Sequence, residues 1–275
     1  MPFPDYHLHT HHSTDSDESL DNIIKQAVSN GIDEICITDH HDIDFPMKYS
    51  YEEGVMAFQL DFDAYSREID EIKTKLPQGF TLKKGVELGV MPSTVKKAAE
   101  YAKEHSDLDF LICSTHIVDG YDPYYSEYYE GKSPVQAFGR YFECILETVK
   151  GFTDFDVYGH LDYIVRYGDY KDYVFELKDY YEIFEELLKT IISAGGGIEV
   201  NTGSLYKNLS YPHPHKEILK LYHDLGGEII TVGSDAHFSK YVGYGFDKAR
   251  ELLLECGFKA YATFVKRKPK FYDII

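Results

Sequence analysis

Apolar positions along the chain follow two spacings, one typical of buried strands and one typical of helices. Short apolar runs predict strands at 3–8, 35–38, 81–88, 108–113, 155–158, 198–201, 228–232 and 258–265. Between most of these runs, apolar residues recur three and four positions apart, as on one face of a helix. This alternation of strand and helix, with a period of about 30 residues, favours parallel strands joined by crossover helices.

Two of the predicted helices carry clear start and stop signals. The first has Asp17 as its expected cap and Gly31 as its end. The apolar face of this helix comprises Leu20, Ile23, Ile24, Ala27 and Val28. Later in the chain, Ser133 and Pro134 predict the start of a long helix, because proline is well tolerated at the first helical position.

These elements predict a single domain over residues 1–275, since no linker rich in Pro, Gly or Ser interrupts them. A barrel of seven or eight parallel strands fits the alternation best, with an open doubly wound sheet as the alternative.

Composition narrows the class of partner. The formal net charge is −19, and no basic stripe offsets it, which disfavours binding to nucleic acid. We find no apolar run long enough to span a membrane and no signal pattern at the N-terminus. The four cysteines are scattered without CxxC spacing, which is typical of a reducing setting, so we expect a cytoplasmic protein.

The carboxyl ends of the predicted strands carry residues that can bind metal ions or polar ligands. In barrels of this kind, function collects at that end of the strands. The metal-capable residues there are His7, His9, Asp15, His40, Glu87, His116, His160, Asp235 and His237. Four other histidines are expected at surface or helix positions: His105, His213, His215 and His223.

Three carboxylates and six imidazoles at one barrel mouth require cations among them, because buried charges need partners. So many ligands exceed the needs of one tetrahedral ion. The set therefore predicts two or three divalent ions, with at least one bridging carboxylate. Such ions would also make the mouth locally positive on an acidic protein.

Six segments, HLHTHHSTD, ITDHHD, GVELG, STH, GHLD and GSDAH, occur in this order between residues 7 and 237. Together they resemble the polymerase and histidinol phosphatase (PHP) family. The resemblance implies a distorted (β/α)7 TIM-like barrel with parallel strands and a metal site at their C-terminal ends. The ligands that it implies are His7, His9, Glu87 and Asp235 for one ion, Glu87, His116 and His160 for a second, and Asp15, His40 and His237 for a third.

One position departs from the family pattern, since histidine often stands where this chain has Asp15. A carboxylate is a harder ligand and favours Mn²⁺ or Fe over Zn²⁺. The identity of the ions among Zn²⁺, Mn²⁺ and Fe is therefore left open.

The Tyr-rich insertion after STH is most similar to that of the histidinol-phosphate phosphatases within the family. This similarity implies hydrolysis of L-histidinol phosphate to L-histidinol and phosphate, a step of histidine biosynthesis. The expected catalytic residues are Glu87, Asp235 and His237, acting through a metal-bridging hydroxide. A PHP-type phosphodiesterase or exonuclease, or another small phosphate-ester hydrolase, is the alternative. An amidohydrolase and a non-enzymatic PHP module also stay open.

Three residues are candidates for substrate binding, and each has an alternative. Arg166 follows His160 by six positions and is expected to clamp a phosphate, unless it is a surface arginine. Asn201 is expected to hydrogen-bond the substrate or to cap the following turn. His41 is expected near the substrate or as support for a ligand. The expected partner is a small phosphate monoester, without nucleic acid or membrane, and the oligomeric state is open.

Overall fold

The computed structural model describes residues 2–51, 53–168, 174–207 and 209–275. The strands are β1 (Glu34–Ile37), β2 (His40–Asp42), β3 (Thr81–Gly89), β4 (Phe110–Ser114), β5 (Val157–Tyr158), β6 (Gly197–Asn201), β7 (Ile230–Gly233), β8 (Ala260–Val265) and β9 (Lys268–Asp273). The α-helices are α1 (Leu20–Ser29), α2 (Phe62–Lys73), α3 (Val95–Glu104), α4 (Pro134–Gly151), α5 (Tyr181–Ser193), α6 (Gly203–Tyr206), α7 (Lys216–Asp224) and α8 (Phe246–Glu255).

The main sheet is parallel throughout, in the order β1-β3-β4-β5-β6-β7. Strand β2 pairs with the far end of β3, beyond the part that pairs with β1. Neighbours in the sheet are mostly successive strands along the chain, and helices connect most of them, as crossover connections between parallel strands require. The predicted α/β class with parallel strands is therefore confirmed.

The first predicted strand, residues 3–8, is wrong as a regular element. Only two isolated bridges form there, Asp5 with Ile35 and Leu8 with Ala236. Pro4 has no N–H to donate, so a continuous ladder cannot form. The segment is nonetheless extended and hydrogen-bonds to β1 on one side and to β7 and the residues after it on the other. It thereby joins the two outer strands of the sheet into a closed ring.

The helix signals are partly confirmed. Helix α1 is capped by Ser19 rather than Asp17, and Val28 lies outside its buried face with 47% exposure. Helix α4 begins as expected, because Ser133 and Gln136 form a reciprocal capping box at its N-terminus.

The C-terminal hairpin β8–β9 covers the amino end of the ring. Its second strand was not predicted, because residues 268–273 are exposed and carry no apolar alternation. Phe264 of the first strand packs with Tyr6 and Phe110 in a buried cluster. Arg267 at the turn donates to Asp156, just before β5. The opposite end of the ring is left to the loops that follow the strands.

No helix within the described ranges is long and apolar enough to cross a membrane.

Candidate metal centre

All nine predicted metal ligands converge at the carboxyl ends of the strands. They come from segments spread around the ring, so the fold assembles them from most of the chain. In order, His7 and His9 come from the first segment, Asp15 from the loop after it, His40 from β2, Glu87 from β3, His116 and His160 from the ends of β4 and β5, and Asp235 and His237 from the end of β7.

Glu87 is fully buried at the centre of this group and faces imidazoles with both oxygens. Its Oε2 lies 3.1 Å from Nε2 of His7 and 3.0 Å from Nδ1 of His40. Its Oε1 lies 2.9 Å from Nε2 of His160 and 3.2 Å from Nε2 of His116. A carboxylate with separate imidazoles on each oxygen has the arrangement of a bridging ligand.

Beside the residues that surround the two oxygens of Glu87, a third group of possible metal ligands lies on the side of the cavity. Oδ2 of Asp15 lies 3.0 Å from Nε2 of His237 and 3.9 Å from Nε2 of His40. The ring of His9 stacks between the rings of His40 and His237, with centroid separations of 4.3 and 4.2 Å. His9 also lies 3.5 Å from Oδ1 of Asp235, so the third group adjoins the first.

Several buried atoms at the centre have no hydrogen-bond partner among the described residues. They include Nε2 of His7, Nε2 of His9 and Oε2 of Glu87, although the two nitrogens lie 3.1 and 3.5 Å from that oxygen. Buried polar atoms are normally hydrogen-bonded. Their lone pairs instead face a common space, and nitrogen with carboxylate oxygen is a donor set suited to divalent transition ions. The residues therefore fit metal ions.

Outer partners orient the imidazoles. Oε2 of Glu199 lies 2.9 Å from Nδ1 of His7, and Oδ2 of Asp42 lies 2.7 Å from Nδ1 of His116. Each carboxylate accepts the Nδ1 proton, which leaves Nε2 free to bind an ion. Glu199 thus braces a histidine of the predicted ligand set.

The electrostatics keep the central carboxylates in their metal-binding form. Burial alone would raise the pKa of Glu87, but the charges of His7, His40 and His116 outweigh it and hold that pKa well below its usual range. Burial would also raise the pKa of Asp235, and nearby cations again lower it. Both groups are ionised at neutral pH.

The backbone after β7 is shaped for this site. A Cβ atom on Gly233 would lie 2.3 Å from Cβ of His7, so only glycine allows the first segment to approach β7 so closely. Asp235 adopts φ of 54°, a left-handed conformation that is uncommon outside glycine. The pattern GSDAH therefore encodes close approach and a sharp turn as well as two ligands.

A cavity of about 620 Å³ opens above the centre and is lined largely by aromatic rings. The cationic side chains of Arg166 and Lys207 line this cavity beside Asp235. Arg166 has a side chain only 2% exposed and approaches Oδ2 of Asp235 to 3.5 Å, while Lys207 approaches the same oxygen to 3.8 Å. Nη1 and Nη2 of Arg166 have no hydrogen-bond partner in the described part of the chain. Two cations next to a metal centre can hold an anion such as a phosphate group.

Of the three predicted substrate-binding residues, only Arg166 lines this cavity. The ring of His41 stacks on Tyr101, and its Nδ1 accepts from the backbone of Leu60, so the structure does not bring it to the site. Asn201 is buried and donates to Glu199.

The amide oxygen of Asn201 accepts from the backbone N–H of Gly203. It therefore caps the following turn, the alternative considered from the sequence, and its fully buried side chain does not line the cavity.

Sequence reasoning missed Lys207 and misplaced His213. Lys207 follows Asn201 by six positions, the same offset by which Arg166 follows His160, and this repeat was a usable signal. His213 was expected at a surface or helix position, and that is wrong because it is fully buried behind Arg166.

The family follows from both the sequence and this geometry. Residues 5–203 match the PHP domain, and the chain belongs to the PHP domain family.

Several proteins similar to this chain are named histidinol-phosphatase. Histidinol-phosphatase from Lactococcus lactis is 31% identical over 94% of this chain and 93% of its own length. Histidinol-phosphatase from Saccharomyces cerevisiae is 25% identical over 90% of this chain and 88% of its own. A solved structure of the Lactococcus lactis histidinol phosphate phosphatase, complexed with Zn, L-histidinol and phosphate, is 30% identical. It covers 98% of this chain and 99% of that chain with a TM-score of 0.87.

Proposed function

We propose that this chain is a metal-dependent phosphomonoesterase that hydrolyses L-histidinol phosphate to L-histidinol and phosphate. The observation that carries the proposal is the juxtaposition of the buried ligand cluster around Glu87 with Nη1 and Nη2 of Arg166, which have no hydrogen-bond partner among the described residues. The full-length similarity to a phosphatase structure with Zn, L-histidinol and phosphate supports the choice of substrate.

We propose three divalent ions, with the ligand groups built around His7 and His9, around His116 and His160, and around His40 and His237. Glu87 bridges the first two groups. The chemistry that such ions supply is an activated water nucleophile at neutral pH and compensation of phosphate charge. A metal analysis by mass spectrometry tests the count: three ions per chain are expected, and one ion per chain would contradict the ligand assignment.

The residues of the chain then have distinct tasks. Arg166 and Lys207 hold the phosphoryl oxygens beside Asp235, because their charges face the cavity there. The aromatic walls exclude water from the rest of the substrate. Asp235 and His237, at the end of β7, position the reacting group against the centre, and a single domain over residues 1–275 carries the whole site.

Steady-state kinetics of the metal-loaded protein test the substrate. We expect a higher kcat/KM for L-histidinol phosphate than for p-nitrophenyl phosphate, since a built site rejects analogues that leave its polar groups unpaired. Equal values for the two esters would refute the substrate assignment. Degradation of labelled single-stranded DNA at physiological salt would instead favour a phosphodiesterase. The cytoplasmic location stays a prediction from the cysteine pattern.

A further inference from the structure

Arg166 belongs to a buried row of three hydrogen-bonded side chains, together with His213 and Asp162. None of the proposed metal ligands is part of this row. Nε of Arg166 donates to Nε2 of His213 at 2.7 Å. Nδ1 of His213 lies 2.6 Å from Oδ1 of Asp162. His213 and Asp162 are both fully buried, and neither lines the cavity.

The hydrogen-bond chemistry fixes the tautomer of His213. A guanidinium can only donate, so Nε2 of His213 must accept and carries no proton. Its single proton therefore lies on Nδ1, where the carboxylate of Asp162 accepts it. An imidazolium would place two N–H groups face to face at Arg166, which the short contact forbids.

The loops around this row are fixed by the backbone. Asn201 and His213 exchange two backbone hydrogen bonds of 2.7 and 2.8 Å, which ties the loop before α7 to the end of β6. Oδ2 of Asp162 accepts from the N–H of His215 at 2.8 Å. Both oxygens of Asp162 thus accept hydrogen bonds from the loop before α7. The imidazole of His213 is held between Asp162 on one side and Arg166 on the other.

Only one nitrogen of Arg166, Nε, donates a hydrogen bond to His213. With Nε held by His213, Nη1 and Nη2 remain buried and make no hydrogen bond in the described ranges, and Nη2 lies 3.5 Å from Oδ2 of Asp235. The guanidinium plane also lies over the ring of Tyr163, with its carbon 4.8 Å from the centroid. Pinning Nε and one face of the plane leaves the two Nη groups as a fixed fork, the arrangement that matches two oxygens of a phosphate.

We infer that His213, held as its Nδ1–H tautomer by Asp162, is a positioning residue that orients Arg166 for bidentate binding of the substrate phosphate. This inference rests on the proposed function, in which Arg166 binds the phosphate. It assigns a task to a histidine that is outside the proposed ligand set and does not line the cavity. Pre-orientation lowers the entropy that a flexible arginine would lose on binding.

Two substitutions separate this role from a structural one. In His213→Gln, the amide oxygen reaches the position of Nε2 and still accepts from Arg166. In His213→Asn, the amide nitrogen still donates to Asp162, but Arg166 loses its acceptor. His215→Asn, two positions along the same loop, is the matched control because its partly exposed side chain does not contact Arg166.

Binding of inorganic phosphate to the metal-loaded protein is the readout, measured by calorimetry and as competitive inhibition of phosphatase activity. For His213→Asn we expect Kd for phosphate and KM to rise about tenfold, the effect of losing a hydrogen bond to a charged group. His213→Gln is expected to stay within about threefold of the parent, as is the His215 control. Thermal unfolding and metal content show that each variant is folded and loaded.

A double-mutant cycle with Arg166→Ala gives the decisive comparison. If His213 acts through Arg166, His213→Asn adds almost nothing in the Arg166→Ala background. An equal effect in both backgrounds, or equal losses for Asn and Gln, would show that His213 only stabilises the loops and would overturn the inference. If Arg166→Ala itself leaves the Kd for phosphate unchanged, the phosphate site of the proposed function is wrong instead.

Discussion

The two ends of the barrel bury similar charged side chains but satisfy them differently. At the amino end, Oδ2 of Asp156 accepts from Nε of Arg267 at 2.6 Å and from the N–H of Leu111 at 2.8 Å. At the carboxyl end, Glu87, His7 and their neighbours crowd together with buried atoms that have no partner among the described residues.

Asp156, at the amino end that the β8–β9 hairpin covers, is a buried charge with a purely structural role. Burial raises the pKa of Asp156 to about 6, against the lowering effect of Arg267, so this carboxylate is held at a cost. Its partners are all supplied by the protein. At the mouth, the charges of the imidazoles do lower the pKa of Glu87, but Oε2 of Glu87 and Nε2 of His7 and of His9 have no hydrogen-bond partner among the described residues. Buried polar atoms left in this way mark a site that is completed by ions.

The largest effect should come from removing metal. Dialysis against a chelator is expected to lower phosphatase turnover by at least about 1,000-fold, since the uncatalysed reaction is among the slowest known. The melting temperature should fall as well, because carboxylates and imidazoles at the mouth lose their shared cations. Enzyme assays and thermal scans before and after adding Zn²⁺ check both. Undiminished turnover in metal-free protein would break the contrast between the two ends.

Replacing an outer partner should have an intermediate effect. Asp42→Asn removes the charge that holds Nδ1 of His116, and we expect metal affinity or kcat/KM to fall about 10- to 100-fold. Asp44→Asn, at an exposed ion pair with Lys97, is the control and should change neither. Metal titration and kinetics of both variants measure the difference, and equal behaviour would argue against a role for Asp42.

The hairpin end should respond in stability alone. Arg267→Met leaves the buried Asp156 without its cation, and we expect the free energy of unfolding to fall by about 3 kcal/mol. Values of kcat/KM should stay within about twofold, because the mouth is untouched. Denaturant unfolding measures the stability and steady-state kinetics measure kcat/KM. Lys266→Met, at the exposed neighbouring position, is the control. A large loss of turnover in folded Arg267→Met would mean that the ends are coupled.

The smallest effect concerns protons. Burial lowers the pKa of His40, but Glu87 and Asp15 outweigh it and raise the pKa to about 9 in the metal-free protein. His40 is therefore protonated below pH 9, and an ion that binds it must displace that proton. We expect proton release on Zn²⁺ binding at pH 8, and weaker apparent affinity as the pH falls. Calorimetry in buffers of different ionisation enthalpy measures it, and a heat independent of buffer would contradict it.

The parts of the site that the sequence predicts well are those fixed by a regular rule. Glu87 lies near the carboxyl end of β3 and His160 follows β5, and the carboxyl ends of parallel strands meet. Their convergence needs no knowledge of the loops.

The rest depends on contacts that no pattern encodes. His213 lies between Pro212 and Pro214 in a segment without periodicity, and only its backbone pairing with Asn201 carries it into the interior. The amide of Asn201 could have faced a substrate, but the neighbouring Glu199 takes it instead. The second strand of the hairpin is stabilised by pairing with its neighbour, not by apolar residues of its own.

The first segment of the chain has a consequence for how the protein is made. Leu8 and its neighbours pair with β1, about 30 residues away, and also with residues beyond β7, more than 220 residues away. His7 and His9 precede β7 by more than 220 residues and can therefore take their final positions only after β7 is available, and such long-range closure is slow. The complete ligand set is accordingly assembled late in folding, after the strands between these two parts of the chain.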